Sequence, residues 1–445
     1  MNPLQRKKRN LSRDALQIFN DALESVHPGN LVPQSVKREG DSLHIADATY
    51  RFSDFKNVYV VGAGKATAAI ADGIEKLLLD KITSGLVIVK YQHGLPLQKI
   101  ELVEAGHPVP DDSGLKASQK ILDLVKKADE SDLVLVLISG GGSALMELPV
   151  ENISLSDIQI VTEQLLACGA VITEMNALRK HLSKIKGGQL AAAAAPATVI
   201  TLAISDVIGD SPASIASGPT VPDNSTFSNA WSVIEKYDLE NRLPDSVINH
   251  IQDGLSGQAR ETPKSDHPAF NMTHFHLIGN NRIFLDSAAL IADKFGYQSI
   301  ILTDRLQGEA RRRGAEIAAL GKSCATRAEH RPLCLLAGGE TTVTLKGSGT
   351  GGRNQELALS AAIELNSTKN CVFLAAGTDG TDGHTEAAGA LVDDQTLARA
   401  HKLGLEVNDF LDRNDSYNFF KKTGDLIVTG PTGTNVMDVV LCLLE

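Results

Sequence analysis

The amino-acid sequence predicts an α/β protein, with a doubly wound parallel sheet in a first domain and a second, smaller α/β domain behind it. Three observations lead there. Short apolar runs, the clearest being Leu133–Ile138 (LVLVLI), alternate with longer amphipathic stretches, the pattern of strands joined by crossover helices. Several of these runs end in glycine-rich or acidic turns. The chain is 445 residues long, a length for which two domains, each with its own core, are expected.

The elements follow in order. A helix is expected over 11–26 and a small hairpin over 43–52. Asn57–Val61 reads as a strand that turns through Gly62-Ala63-Gly64-Lys65-Ala66 into a helix ending near Leu79. Strands at Leu86–Val89 and Glu101–Ala105 come next, the second running into Gly106-His107-Pro108, and then a helix over 113–127. Leu133–Ile138 enters Ser139-Gly140-Gly141-Gly142-Ser143 directly. Helices are expected over 154–167, where Ser154 and Asp157 form a capping pattern, and over 173–185. Arg179, Lys180, Lys184 and Lys186 there read as a solvated face. Thr198–Ile204 is a strand ending in Ser205-Asp206. From Asp223 the strand pattern fades: 225–253 reads as helical, and the polar stretch 255–271 as a linker. The expected domains are therefore 1–254 and 272–445. The second holds strands over 273–278, 299–302, 333–337 and 371–375, helices over 284–295, 309–324 and 355–365, and two closing strands over 426–429 and 436–443.

Composition narrows the function. The chain is 42% hydrophobic and 22% charged, as in a globular protein. A net charge of −11 argues against a nucleic-acid binder, though not against an anionic small substrate. The five cysteines form no C-x-x-C pair and read as reduced core residues of a reducing compartment, the cytoplasm. No apolar stretch approaches the ~20 residues that span a bilayer. Arg6–Arg9 are basic but have no apolar segment behind them, so no secretory signal is expected.

The loops carry the chemistry. The stretch from Leu335 to Ala361 leads from a strand through Gly338, Gly339 and Glu340 to Gly347, Gly349, Gly351 and Gly352, and then into Arg353-Asn354-Gln355-Glu356 at a helix start. Glycines let backbone N–H groups approach an anion, a helix N-terminus adds partial positive charge, and arginine adds a planar fork of donors. That combination suits a phosphate. Lys65, directly after a strand and a Gly-x-Gly turn, can reach a phosphate or carboxylate. Asp206 ends a buried strand, where a carboxylate is costly unless paired. Glu340, Asp379 and Asp382 are candidates for holding Mg²⁺ through water, Asp382 equally for forming a turn. Ligands bind beyond the carboxyl ends of strands in open α/β sheets, so these loops are expected to line one cleft between the two domains. A Walker A loop is absent. The dinucleotide fingerprint is half present: Gly62 and Gly64 fit, but Thr67 takes the third glycine position, and the next strand ends at Lys90 without an acidic residue for a ribose.

The motifs VGAGKA (61–66), GHPVPDDSG (106–114), LISGGGSALMELP (137–149), KGGQLA (186–191), ISDVIGDSPASIASGPTVPD (204–223), AGGETTV (337–343), GTGGRNQELAL (349–359), AAGTDGTDG (375–383) and TGPTGTNV (429–436) together resemble the glycerate 2-kinase family, whose carboxy-terminal region is the MOFRL domain. The resemblance runs through nearly the whole chain in order. It implies ATP-dependent phosphorylation of D-glycerate at the C2 hydroxyl, with Mg²⁺ required, a Rossmann-like amino-terminal domain, and an active site in the interdomain cleft. It places the family's motif lysine at Lys65, its strand-end aspartate at Asp206 and its GGRNQE arginine at Arg353. The expected phosphate-binding residues are Gly62, Gly64, Ser139, Gly140, Gly141, Gly142, Ser143, Gly349, Gly351, Gly352 and Asn354, with Glu340 and Asp379 toward the metal. Whether Lys65 or Arg353 meets the phosphoryl group or the glycerate carboxylate stays open, as does oligomeric state, a homodimer included. The rival readings are an NAD(P)H-dependent hydroxypyruvate reductase and a non-enzymatic nucleotide or sugar-acid sensor.

Overall fold

In the computed structural model, residues 10–325, 332–366 and 368–445 are described; Arg6–Arg9 lie outside them. The chain forms two compact units, Pro28–Gly279 on one hand and Met1–His27 with Asn280–Glu445 on the other.

The Pro28–Gly279 unit begins with a three-stranded antiparallel sheet, β1 (Val36–Glu39), β2 (Ser42–Ile45) and β3 (Ala48–Arg51). Its main sheet contains β4 (Asn57–Ala63), β5 (Ser84–Lys90), β6 (Ile100–Ala105), β7 (Asp132–Ile138), β8 (Thr198–Ile204) and β9 (Thr273–Gly279). All pairs are parallel, in the order β6-β5-β4-β7-β8-β9. In order of appearance that is 3-2-1-4-5-6, the Rossmann arrangement, and the order reverses between β4 and β7. β7 and β8 are buried at every residue, which is why they read as unbroken apolar runs. One face packs Val61, Ile88, Val136, Ile138 and Val199 against Ala117, Ile121 and Val125 of the helix Asp112–Val125. The helix Thr67–Leu78 contacts the same strands without joining that cluster, so it covers the opposite face and the sheet is doubly wound. Ile158, Leu165, Leu178, Phe227, Val247 and Ile251 build a separate helical cluster.

The other unit's sheet contains β10 (Gln298–Leu306), β11 (Leu333–Gly339), β12 (Cys371–Gly377), β13 (Gly389–Asp393), β14 (Leu426–Ile427) and β15 (Asp438–Leu444), in the order β10-β11-β15-β12-β13-β14. β10 and β11 are parallel; β15 runs antiparallel between β11 and β12. Its first residue, Asp438, therefore faces Gly339 on one side and Gly377 on the other. A strand start is thus brought to the same sheet edge as two strand ends.

The expected boundaries at 254 and 272 are corrected. The strand after the polar stretch, β9, completes the first sheet beside β8. The stretch 255–271 is tied into the same unit: Glu261 accepts from the backbone N–H groups of Phe227 and Thr262, and its Oε1 lies 2.6 Å from His181 Nε2. The helix Leu11–Ser25 belongs with the later residues. Its Phe19 ring sits 6.0 Å from that of Phe284, and Asp14 accepts from the Tyr297 hydroxyl at 2.7 Å. An apolar stripe shows that a helix is half-buried but not which element covers it. Among 341–345 only a single bridge, Thr342 to Glu309, forms.

Candidate functional site

On the Pro28–Gly279 unit, the loops after β4 and β7 meet where the strand order reverses. The Lys65 N–H donates to the Gly140 carbonyl at 2.8 Å, and the Ser139 N–H to the Ala63 carbonyl at 3.2 Å. Ser139 is fully buried; its Oγ accepts from the Ala66 N–H and lies 3.0 Å from Thr67 Oγ1. The hydroxyl therefore ties the two loops together. Gly62 and Gly64 owe their identity to the same closeness. A Cβ on Gly62 would lie 2.0 Å from the Leu137 carbonyl oxygen, and one on Gly64, at φ 147°, 2.1 Å from Ser139 Oγ. That reason holds with or without a phosphate nearby. Gly141 (φ 83°) has His107 Nε2 at 2.9 Å and Lys65 Cγ at 3.4 Å from where its Cβ would be, so the Lys65 stem, the His107 ring and the Gly141 backbone are neighbours. Asp206, half-buried, follows the adjacent strand β8.

The charges of 179–186, read as a solvated helix face, are not one: the helix stops at His181, before Lys184 and Lys186. Lys186 is 1% exposed and pairs with the buried Glu147; Lys180 is 6% exposed and pairs with the buried Asp223 at 3.0 Å. The helix Ile172–His181 buries Met175–Leu178, Lys180 and His181, and a period-3.6 charge pattern alone cannot separate buried pairs from solvated ones.

On the other unit, the helix Arg353–Glu364 starts at the carboxyl edge of its sheet. Arg353 donates through Nε and Nη2 to the two carboxylate oxygens of Asp438, and through Nη1 to Glu340 Oε1. Burial opposes the charge, but Asp438, then Glu340 and Asp382, outweigh it and hold the guanidinium above its ordinary pKa. Asp382 accepts the N–H groups of Asn354 at 3.0 Å and Gln355 at 2.8 Å. It satisfies two orphan donors of the helix's first turn from a distant loop. Burial, then the charge of Asp438, pushes its carboxyl up to about 6, against the two N–H bonds and Arg353. Asn354 is 1% exposed and turns its amide nitrogen toward Asp382.

The glycine-rich loop is only partly available to an anion. The N–H groups of Lys346 and Gly347 bond to Asn414 Oδ1, that of Gly349 to the Arg413 carbonyl, and that of Thr350 to Asp415 Oδ1. Gly349 thus serves loop packing. Gly351 and Gly352, hard against Ser416 and Asp382, lead into the helix beside Arg353. Of the acidic candidates, Glu340 reaches Arg353, while Asp379 Oδ1 accepts from the N–H and hydroxyl of Thr381. Asp379 and Asp438 flank Gly377, with Oδ1 atoms 3.4 Å and 3.5 Å from where its Cβ would stand. Among the described residues no three or more His, Cys, Asp or Glu side chains group to hold a metal by themselves. A nucleotide-bound Mg²⁺ needs only one or two carboxylates, because water and phosphate oxygens supply the rest. The excess of carboxylates around Arg353 fits such a cation.

Sequence reasoning missed Asp438. The argument that picked Asp206, a carboxylate at the end of an apolar strand, applies equally at the start of a strand that runs antiparallel, but orientation is not readable from the sequence.

Residues 333–438 match the MOFRL family, and residues 14–252 match a domain of unknown function, DUF4147. The chain is 41% identical to a glycerate 2-kinase of Pyrococcus horikoshii over 96% of each chain. It belongs to the glycerate 2-kinase family. The crystal structure of a glycerate kinase from Thermotoga maritima superposes with a TM-score of 0.86 at 41% identity, covering 98% of this chain and 99% of that one. A protein of Agrobacterium vitis, 44% identical over 86% of each chain, carries a provisional hydroxypyruvate reductase name.

Proposed function

We propose that this member of the glycerate 2-kinase family transfers the γ-phosphoryl group of ATP to the C2 hydroxyl of D-glycerate in the cytoplasm. The observation that carries the reading is Arg353, a permanently charged fork fixed by Asp438 and Glu340 at a helix start. Phosphoryl transfer requires an in-line hydroxyl and fixed positive charge around the moving group, with little covalent chemistry from the protein. Arg353 and Lys65 supply that charge. The backbone N–H groups of Gly140–Ser143 suit phosphate oxygens, and so do those of Gly351 and Gly352. Asp206 orients the C2 hydroxyl or accepts its proton. Glu340 and Asp379 would hold Mg²⁺, which when bound neutralises charge on the β- and γ-phosphate oxygens.

The reductase reading has the Rossmann strand order and the Agrobacterium vitis name in its favour. Against it, Thr67 replaces the third glycine, and β5 ends at Lys90 without a carboxylate for a ribose. Purified protein incubated with ATP, Mg²⁺ and D-glycerate is expected to yield 2-phosphoglycerate, resolved chromatographically from the 3-isomer. NAD(P)H oxidation with hydroxypyruvate and no ATP consumption would replace this reading with the reductase.

A further inference from the structure

We propose that Arg179 and Asn176 form a subsite for the carboxylate of the three-carbon acid, set by a hydroxyl relay from the Ser139–Ser143 loop. The proposal rests on the kinase reading and settles which cation meets the carboxylate.

Asn176 and Arg179 stand three apart on the helix Ile172–His181 and share a face. Asn176 is 4% exposed. Its Oδ1 accepts from the Ser217 hydroxyl at 2.9 Å, and Ser217 Oγ lies 2.7 Å from Ser143 Oγ. With the Ser217 proton committed to Asn176, the Ser143 hydroxyl donates to Ser217, and the relay fixes the amide with Nδ2 turned away. That Nδ2 is buried and has no hydrogen-bond partner among the described residues. A buried amide donor left bare is costly, so an acceptor at this point has a ready gain. Ser217 is held in place by a left-handed run, Ala216 (φ 47°), Ser217 (φ 59°) and Gly218 (φ 61°), which non-glycine residues rarely adopt.

Arg179 has the same need. It is half-buried, yet it makes no hydrogen bond or salt bridge to any described residue. The nearby carboxylate, Glu147, is already taken by Lys186. Arg179, Lys186 and Glu147 together carry a formal charge of +1, which matches one carboxylate better than a polyphosphate. A planar guanidinium also binds a planar carboxylate through two parallel bonds. With the carboxylate on Arg179, Lys65 and Arg353 are left for the phosphoryl group.

The test uses Arg179→Lys, Arg179→Gln and Asn176→Ala. Each is assayed with ATP and D-glycerate varied separately, and with the neutral analogue D-glyceramide. Arg179→Gln is expected to raise KM for D-glycerate about 10–100-fold, leave KM for ATP within about twofold, and erase the preference for acid over amide. Arg179→Lys and Asn176→Ala should fall between it and the wild type. In parallel, the thermal shift produced by D-glycerate alone is measured. It should be present in the wild type and lost in Arg179→Gln. A rise in KM for ATP alone would assign the subsite to the nucleotide and overturn the proposal, as would unchanged constants for both substrates. If the wild type shows no kinase turnover, the kinase reading falls by itself, and a D-glycerate shift abolished by Arg179→Gln still upholds the subsite.

Discussion

The two carboxylate oxygens of Asp438 accept in parallel from Nε and Nη2 of Arg353, with the second bond at 3.0 Å. Lysine has one compact head where arginine has a fork, so it cannot reproduce this grip and reach Glu340 at the same time. Arg353→Lys is expected to lower kcat about 10²–10³-fold, the usual loss when one fixed donor to a charged transition state goes. Circular dichroism should show the fold retained. Turnover close to wild type would remove Arg353 from the mechanism.

Asp382 titrates in a window set by its burial. With its carboxyl raised to about 6 from an ordinary 3.8, the folded protein holds a proton between these values that the unfolded chain has released. Stability therefore falls as pH rises from about 4 to about 6 and then levels off. Asp382→Asn lacks this titration. In buffer without Mg²⁺, the stability of the wild type relative to Asp382→Asn should drop across that interval when thermal midpoints are compared at each pH. A difference that stays constant from pH 4 to 7 would show that Asp382 does not titrate there.

Much of this fold is legible in the sequence because strands buried on both faces leave no room for polar residues. β7 and β8 are predicted within a residue of where they form for that reason. The end of the helix starting at Ile172 is not, because the apolar pattern runs on to Ile185 while the helix stops at His181. β13 and the short helices Thr396–Lys402, Val407–Asp412 and Ser416–Thr423 lack a strong period and go unseen. Among the candidate residues, Lys65, Asp206 and Arg353 stand out because a charge beside a buried strand or a glycine turn is anomalous locally. Asp438 and the Arg179–Asn176 pair are anomalous only in three dimensions, once strand direction and helix burial are known.

Glu261 gives an opposite pH dependence in the stretch expected to be a linker. Burial favours its neutral form, but His181 and the N–H groups of Thr262 and Phe227 outweigh this and bring the carboxyl down to about 2. A depressed pKa stabilises the fold above the ordinary glutamate value of 4.5 and loses that contribution as pH falls toward 2. The wild type should be more stable than Glu261→Gln at pH 6, with the gap closing between about pH 4.5 and pH 2 in urea titrations. If residues 255–271 were a free linker, the two proteins would unfold identically at every pH.

The buried pair of Lys180 and Asp223 should respond unequally to loss of either member. Among the described residues the Lys180 ammonium has Asp223 as its partner. Asp223, by contrast, also accepts from the Ser225 N–H, the Ser225 hydroxyl and the Thr262 hydroxyl. Asp223→Ala strands a buried cation and is expected to cost about 3–5 kcal/mol. Lys180→Met leaves a carboxylate that three donors still satisfy, and the methionine fills much of the lysine stem's space, so about 1–3 kcal/mol is expected. Denaturant unfolding of both variants at pH 7 measures the difference. Equal losses would mean that the ion pair alone, without the hydroxyl and N–H donors, sets the energy of Asp223.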